Sequence, residues 1–126
     1  MASQTSSWMI AAGLVSLLTA FTHLFAGGRF IARPLLQSSL SRTVRATHYF
    51  CWHMVTLLLF AMAAAFGLAA SAQQHHPLAF AATSLAAAFF VLNATWLTAW
   101  RVGPLRMPQW AFFLMITLLG IGALAQ

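Results

Sequence analysis

The stretch His48-Tyr49-Phe50-Cys51-Trp52-His53-Met54-Val55-Thr56-Leu57-Leu58-Leu59-Phe60-Ala61-Met62-Ala63-Ala64-Ala65-Phe66-Gly67-Leu68-Ala69-Ala70 carries no acidic residue, arginine or lysine. A bilayer core of about 30 Å is crossed by roughly 20 apolar residues in a helix. This run is long enough, and it has no polar repeat that would give a helix a solvated face. It reads as a membrane span over about residues 47–70. Three further runs read the same way, over about residues 8–30, 78–100 and 108–125. Turn chemistry separates them: Arg33-Pro34 and Ser38-Ser39, then Gln73-Gln74-His75-His76-Pro77, then Gly103-Pro104 and Pro108. Gly27-Gly28-Arg29 reads as the C-terminus of the first helix, where glycine takes left-handed geometry and arginine meets the helix dipole.

Composition supports the same class. Of 126 residues, 62% are hydrophobic and 5% charged. Soluble domains carry about 25% charged residues, and disordered chains are poor in apolar ones. The charged residues are six arginines; lysine, aspartate and glutamate are absent. Paired-carboxylate hydrolysis, a Ser-His-Asp triad, carboxylate cages for Ca²⁺ or Mg²⁺ and proton coupling through a membrane Asp or Glu are therefore excluded. Membrane enzymes that use histidine as acid or base lose the carboxylate that would orient it, so the balance is against an enzyme. The net charge of +6 sits between apolar runs and points to membrane lipids, not nucleic acid, as the anionic partner.

The arginines also give an orientation. Arg29, Arg33, Arg42 and Arg45 lie at the first connection, and Arg101 and Arg106 at the third. The tail before Trp8, which reads as polar and N-capping, carries no arginine, and neither does the Gln/His connection or the C-terminus. The positive-inside rule places the basic connections in the cytoplasm and both termini outside. The bias is too complete for dual topology. The first run has no preceding charge and exceeds a signal-peptide core in length, so it reads as a mature helix. The expected architecture is a single all-α domain over residues 1–126. It is an up-down four-helix membrane bundle, expected in a bacterial inner membrane, and its alanine-rich, lysine-free composition fits a GC-rich bacterial genome.

Small residues mark the expected packing seams. They are Gly13, Ser16, Ala20, His23 and Gly27 on the first helix and Ala61, Ala64, Ala65 and Gly67 on the second. Ala81, Ala82, Ala86, Ala87 and Ala88 serve the third, and Gly120 and Gly122 the fourth. Trp8, Tyr49, Trp52, Trp96, Trp100 and Trp110 read as interfacial aromatics. Cys51 reads as a small buried hydrophobe, and His75-His76 as a polar turn.

Polar groups at depth are where function is sought in a membrane chain. His23, His53 and Asn93 fall about 10–12 Å inside the cytoplasmic boundary on three different helices, forming one polar layer. Tyr49, His53 and Thr56 are expected on one face, with His48 nearer the basic loop. The layer reads first as packing or ligand contact within a non-enzymatic subunit, accessory or ligand-binding module, with other membrane subunits or a second copy as partners. Two alternatives are a b-type haem electron carrier and a small transporter or channel along Asn93, His23 and Thr56. In the haem reading His23 and His53 are the iron ligands and Arg29, Arg33 and Arg45 face propionates. A transition-metal site at His23 and His53, with Cys51, is a further variant. The candidate cofactor-binding residues are thus His23, His53, Asn93, Tyr49 and Arg29.

His23-Leu24-Phe25-Ala26-Gly27-Gly28-Arg29, followed by Tyr49-Phe50-Cys51-Trp52-His53, resembles small bacterial four-helix membrane proteins to which no function is attached. The likeness covers the first two helices and implies a fold without implying any site residue. Small multidrug transporters use a first-helix glutamate that is absent here. Fluoride channels of dual topology lack this charge bias. Four-helix cytochromes of the b561 type share only the His23/His53 pair.

Overall fold

A computed structural model describes residues 2–126, and the described chain is all-helical. Helix α1 spans Ala2–Thr22 and runs without a break into a π-helical segment, His23–Ala32, and the short α2, Arg33–Leu36. Helix α3 spans Arg42–Ser71, a 3₁₀ turn covers Gln73–His75, α4 spans His76–Ala99 and α5 spans Gln109–Leu124. Helix α1 packs on α3 and α5, and α4 packs on the same two. With short connections between sequence neighbours, this is an antiparallel up-down bundle closed in the order α1, α3, α4, α5.

Three of these helical stretches are long and apolar enough to cross a membrane: Gln4–Leu36, Arg42–Ser71 and Gln73–Ala99. Helix α5 is apolar but has 16 residues, about 24 Å of helix, and so falls short of the fourth full-length span expected. The first two long helices also begin and end further out than their apolar runs suggested. The serines and threonine before Trp8 belong to α1, and the connection between the first two long helices shrinks to residues 37–41.

The reason lies in Gly27-Gly28, which does not cap the helix. No described glycine has a positive φ, so no left-handed turn forms there. The backbone instead shifts to i→i+5 bonding, with the Arg33 amide donating to the Gly28 carbonyl, and Pro34 falls in the first turn of α2, where its missing N–H costs nothing. A left-handed residue does end α4, but it is an arginine. Arg101 has φ 51°, Val102 N–H reaches the Leu97 carbonyl and Arg101 N–H reaches Thr98. This is a Schellman ending with a non-glycine residue at the left-handed position, a strain of about 1–2 kcal/mol.

The packed core occupies the end of the bundle away from the arginines. Met9, Ala12 and Ser16 meet Leu59, Met62, Phe66 and Ala69, with Ala79, Ala82, Ala86, Ile116 and Ala123 on the other side. Small residues on α1 accept large ones from α3: a Cβ on Gly13 would touch Phe66 Cβ and the Ala63 carbonyl oxygen at 3.4 Å. The seam expected on α3 is therefore displaced. Ala61, Ala64 and Gly67 are exposed, because α3 contributes knobs to this contact and α1 contributes the groove. Cys51 is likewise exposed, one position off the inward stripe.

Buried hydroxyls bond their own helix: Ser16 to Ala12, Thr19 to Val15, Thr83 to Ala79 and Thr117 to Phe113, each at 2.7–2.8 Å to the carbonyl four residues back. Side-chain bonds between helices tie α1 and its extension to α3 at three levels. Ser6 Oγ donates to Ala70, His23 Nε2 to Trp52 and Arg45 Nη1 to Leu36. The α1–α3 hairpin is also longer than its partners. Helix α3 has 30 residues against 24 in α4, a difference of about 9 Å in helix length.

Candidate functional site

The π segment begins at His23, and its first turn is built around one side chain of α3. Trp52 lies against His23 with ring centroids 3.9 Å apart and planes 18° from parallel. The indole edge fills the space that a side chain at Gly27 would take: a Cβ there would stand 2.6 Å from Trp52 Cη2 and 2.9 Å from Cζ2. His23 Nε2 lies 3.2 Å from the Trp52 carbonyl oxygen, and Thr56 Oγ1 reaches the same oxygen at 3.2 Å. A carbonyl only accepts, so the hydrogen-bonded Nε2 carries the proton. π turns in α-helices concentrate at functional sites, and this one spans 10 residues.

His23 lies on the inward stripe of its helix with Ser16 and Gly27, half-buried. On α3 the inward stripe is Trp52, Thr56, Leu59, Met62 and Phe66. His53 is one residue, about 100°, away from it and is exposed. It packs edge-on against Tyr49 at 4.5 Å, and Tyr49 is 37% exposed. Thr56 is buried and parts company with both. Arg29 is exposed, with its guanidinium 5.8 Å from the Phe30 ring centre. His48 is exposed, and His75 and His76 sit in the polar turn, where Gln74 and His75 touch.

Asn93 lies on the inward face of α4, in line with Ala79, Ala82, Ala86 and Phe90. Its Oδ1 is buried and has no hydrogen-bond partner among the described residues. The structure thus brings His23 together with Trp52 and Thr56, turns Asn93 inward and leaves His53, Tyr49 and Arg29 on the periphery. Trp52 is the residue the sequence reading assigned to the membrane interface alone. Its spacing of four from Thr56, continued at Leu59 and Phe66, is the signal that marks it as inward-facing.

Two axial imidazoles must face each other across a porphyrin. Here His23 Nε2 is engaged by a carbonyl, its ring face is covered by Trp52, and His53 is turned outward. No group of three His, Cys, Asp or Glu side chains suited to a metal ion occurs among the described residues. No protein-family model, curated protein or solved structure matches the chain.

His23→Phe keeps a ring on Trp52 and removes the interhelical hydrogen bond. The expected loss is about 0.6 kcal/mol, the average for such bonds in membranes. His23→Ala loses the stack as well, about 0.5–1.5 kcal/mol more. Unfolding of both variants in detergent–SDS mixtures, followed by helicity, checks the order; equal losses would remove the stack from the account.

Proposed function

We propose that the chain is a non-enzymatic integral membrane module, an accessory subunit or ligand-binding protein of a bacterial inner membrane. Both termini lie on the non-cytoplasmic side, and the His/Asn layer in the cytoplasmic half is its contact site. The orientation follows from the six arginines, which all fall at one end of the bundle. Helix α5, apolar along its length, serves as the fourth span.

The observation that carries the reading is Asn93 Oδ1. More than 90% of buried backbone groups, and the large majority of buried side-chain polar atoms, have partners in native proteins. This acceptor is buried without one on the face turned into the bundle. It lies beyond the packed core, toward the end where buried side chains thin out. A donor from a ligand or a neighbouring subunit completes it, and this chain then contributes position and contact, with no chemistry of its own.

Replacing an unpartnered buried acceptor by an apolar side chain of like size relieves its desolvation cost. Asn93→Leu is therefore expected to stabilise the isolated protein by about 1 kcal/mol. A loss of the same size would show that Asn93 serves the bundle itself, and would overturn the reading. A reduced-minus-oxidised visible spectrum of protein expressed with haem supplied is expected to be flat. A sharp α-band lost in both His23→Ala and His53→Ala would replace the proposal with a b-type cytochrome.

A further inference from the structure

At the basic end, a cleft of about 270 Å³ opens between α2 and the first turns of α3, lined by Leu36, Arg42, Arg45, Ala46 and Tyr49. We propose that this cleft binds the phosphate of an anionic phospholipid headgroup. The site is separate from the His23–Trp52 contact and from Asn93, and it stands whether or not they bind anything.

The electrostatics of the position call for an anion from outside. The N-terminus of a helix carries positive partial charge and is ordinarily matched by acidic residues. Helix α3 is 30 residues long and has no acidic residue in its first turn; Arg42 and Arg45 stand there instead. Its Ser41 cap serves one amide, that of Val44. The whole sequence holds no Asp or Glu that could balance the two guanidinium groups.

The geometry fixes one of them. Arg45 Nη1 donates to the Leu36 carbonyl at 2.7 Å, which bridges α2 and α3 and holds the guanidinium at the wall of the cleft. Its Nε is buried and has no acceptor among the described residues. Nε belongs to the planar donor fork that pairs with phosphate oxygens, and the Nη1 tether holds that fork in place. Arg42 is exposed on the rim and supplies a second, mobile charge. Leu36 and Ala46 add apolar wall, and Tyr49 lies two turns further along α3 from Arg42, toward the membrane. Cationic rim and apolar depth together match a headgroup whose glycerol and chains continue into the bilayer, in preference to a free phosphate ion.

The test uses the full chain in a neutral detergent, with thermal unfolding followed by helicity. Phosphatidylglycerol, phosphatidylcholine and inorganic phosphate are added separately. Phosphatidylglycerol at about a hundredfold over its dissociation constant is expected to raise the midpoint by roughly 5–10 °C, with phosphatidylcholine well behind. Arg45→Gln is expected to weaken that binding roughly tenfold, the share of one charge-assisted contact. Arg42→Gln, which leaves the Leu36 tether intact, is expected to weaken it less, and Arg106→Gln, equal in charge, to leave it unchanged. Stabilisation by inorganic phosphate with the same dependence on Arg45 would keep the phosphate site and assign it to a soluble ion. Equal stabilisation by phosphatidylcholine, equal losses in all three arginine variants, or no stabilisation by any of the three additives would overturn the proposal.

Discussion

Gly120→Ala is expected to destabilise the bundle by about 2 kcal/mol, although alanine is the better helix former. A Cβ at Gly120 would stand 2.8 Å from Thr83 Cγ2 and 3.0 Å from Thr83 Cβ, with Oγ1 nearer still. Thr83 cannot turn aside cheaply. It is β-branched, and its hydroxyl is bound to the Ala79 carbonyl at 2.7 Å in a buried position. Overpacking of this kind costs about 1–3 kcal/mol, and the gain of about 1 kcal/mol in helix propensity offsets only part of the upper end. Helix α5 has little freedom to retreat, because Gly122 faces Trp8 of α1, with a Cβ there 3.1 Å from the indole.

The comparison that isolates this contact is Gly67→Ala, where a Cβ meets nothing within 4 Å. That variant is expected to gain about 0.5–1 kcal/mol. Thr83→Ala removes both Oγ1 and Cγ2, so Thr83→Ala/Gly120→Ala should recover most of the Gly120→Ala loss, with a coupling energy of at least 0.5 kcal/mol. Unfolding in detergent–SDS mixtures measures all four. Similar behaviour of Gly120→Ala and Gly67→Ala would sink the close-approach account.

These glycines show how far the sequence reaches. Four apolar runs parted by Pro, Gly and polar clusters, with arginine at alternate connections, are enough to predict an up-down helical bundle, because each signal is local. Rotation of a helix about its axis is not local when every face is apolar. Ala61, Ala64 and Gly67 have the spacing of a packing seam and lie on the outside, because α3 presents Leu59, Met62 and Phe66 to the small residues of α1. The same ambiguity placed weight on His53. Adjacent residues differ by about 100°, and polarity draws attention to the imidazole. The stripe that continues inward from Thr56 passes through Trp52. His23 was legible as inward-facing because it lies on a stripe with Gly13, Ser16 and Gly27; Asn93 was legible only in depth, and its direction, in line with Ala79, Ala82 and Ala86, came from the structure.

Gly27→Ala is expected to break the contact between the π segment and α3, whereas Gly28→Ala strengthens the helix. The two positions are neighbours with opposite surroundings. A Cβ on Gly27 would stand 2.6 Å from Trp52 Cη2, and a Cβ on Gly28 meets nothing within 4 Å. Neither glycine has a positive φ, so conformation does not separate them; space does. The face of Trp52 is stacked on His23, one turn away from Gly27 on the same segment, at a centroid separation of 3.9 Å, and a ring that moves away from Gly27 gives up that stack. The cost of Gly27→Ala is expected at about 2–3 kcal/mol, from overpacking plus the lost aromatic contact. Gly28→Ala is expected to gain about 0.5–1 kcal/mol. The structural consequence is as specific as the energetic one. With Trp52 displaced, the His23 Nε2–Trp52 carbonyl bond at 3.2 Å has no fixed geometry, and the reason for the wide i→i+5 turn is removed. Alanine at 27 then favours an ordinary α-turn, which takes up one residue fewer and rotates Arg29 and Ala32 about the helix axis. Cysteine cross-linking between positions 32 and 46, compared in the wild type and in Gly27→Ala, reads that rotation directly. An unchanged cross-linking pattern together with an unchanged unfolding midpoint would show that Trp52 does not hold the π segment open.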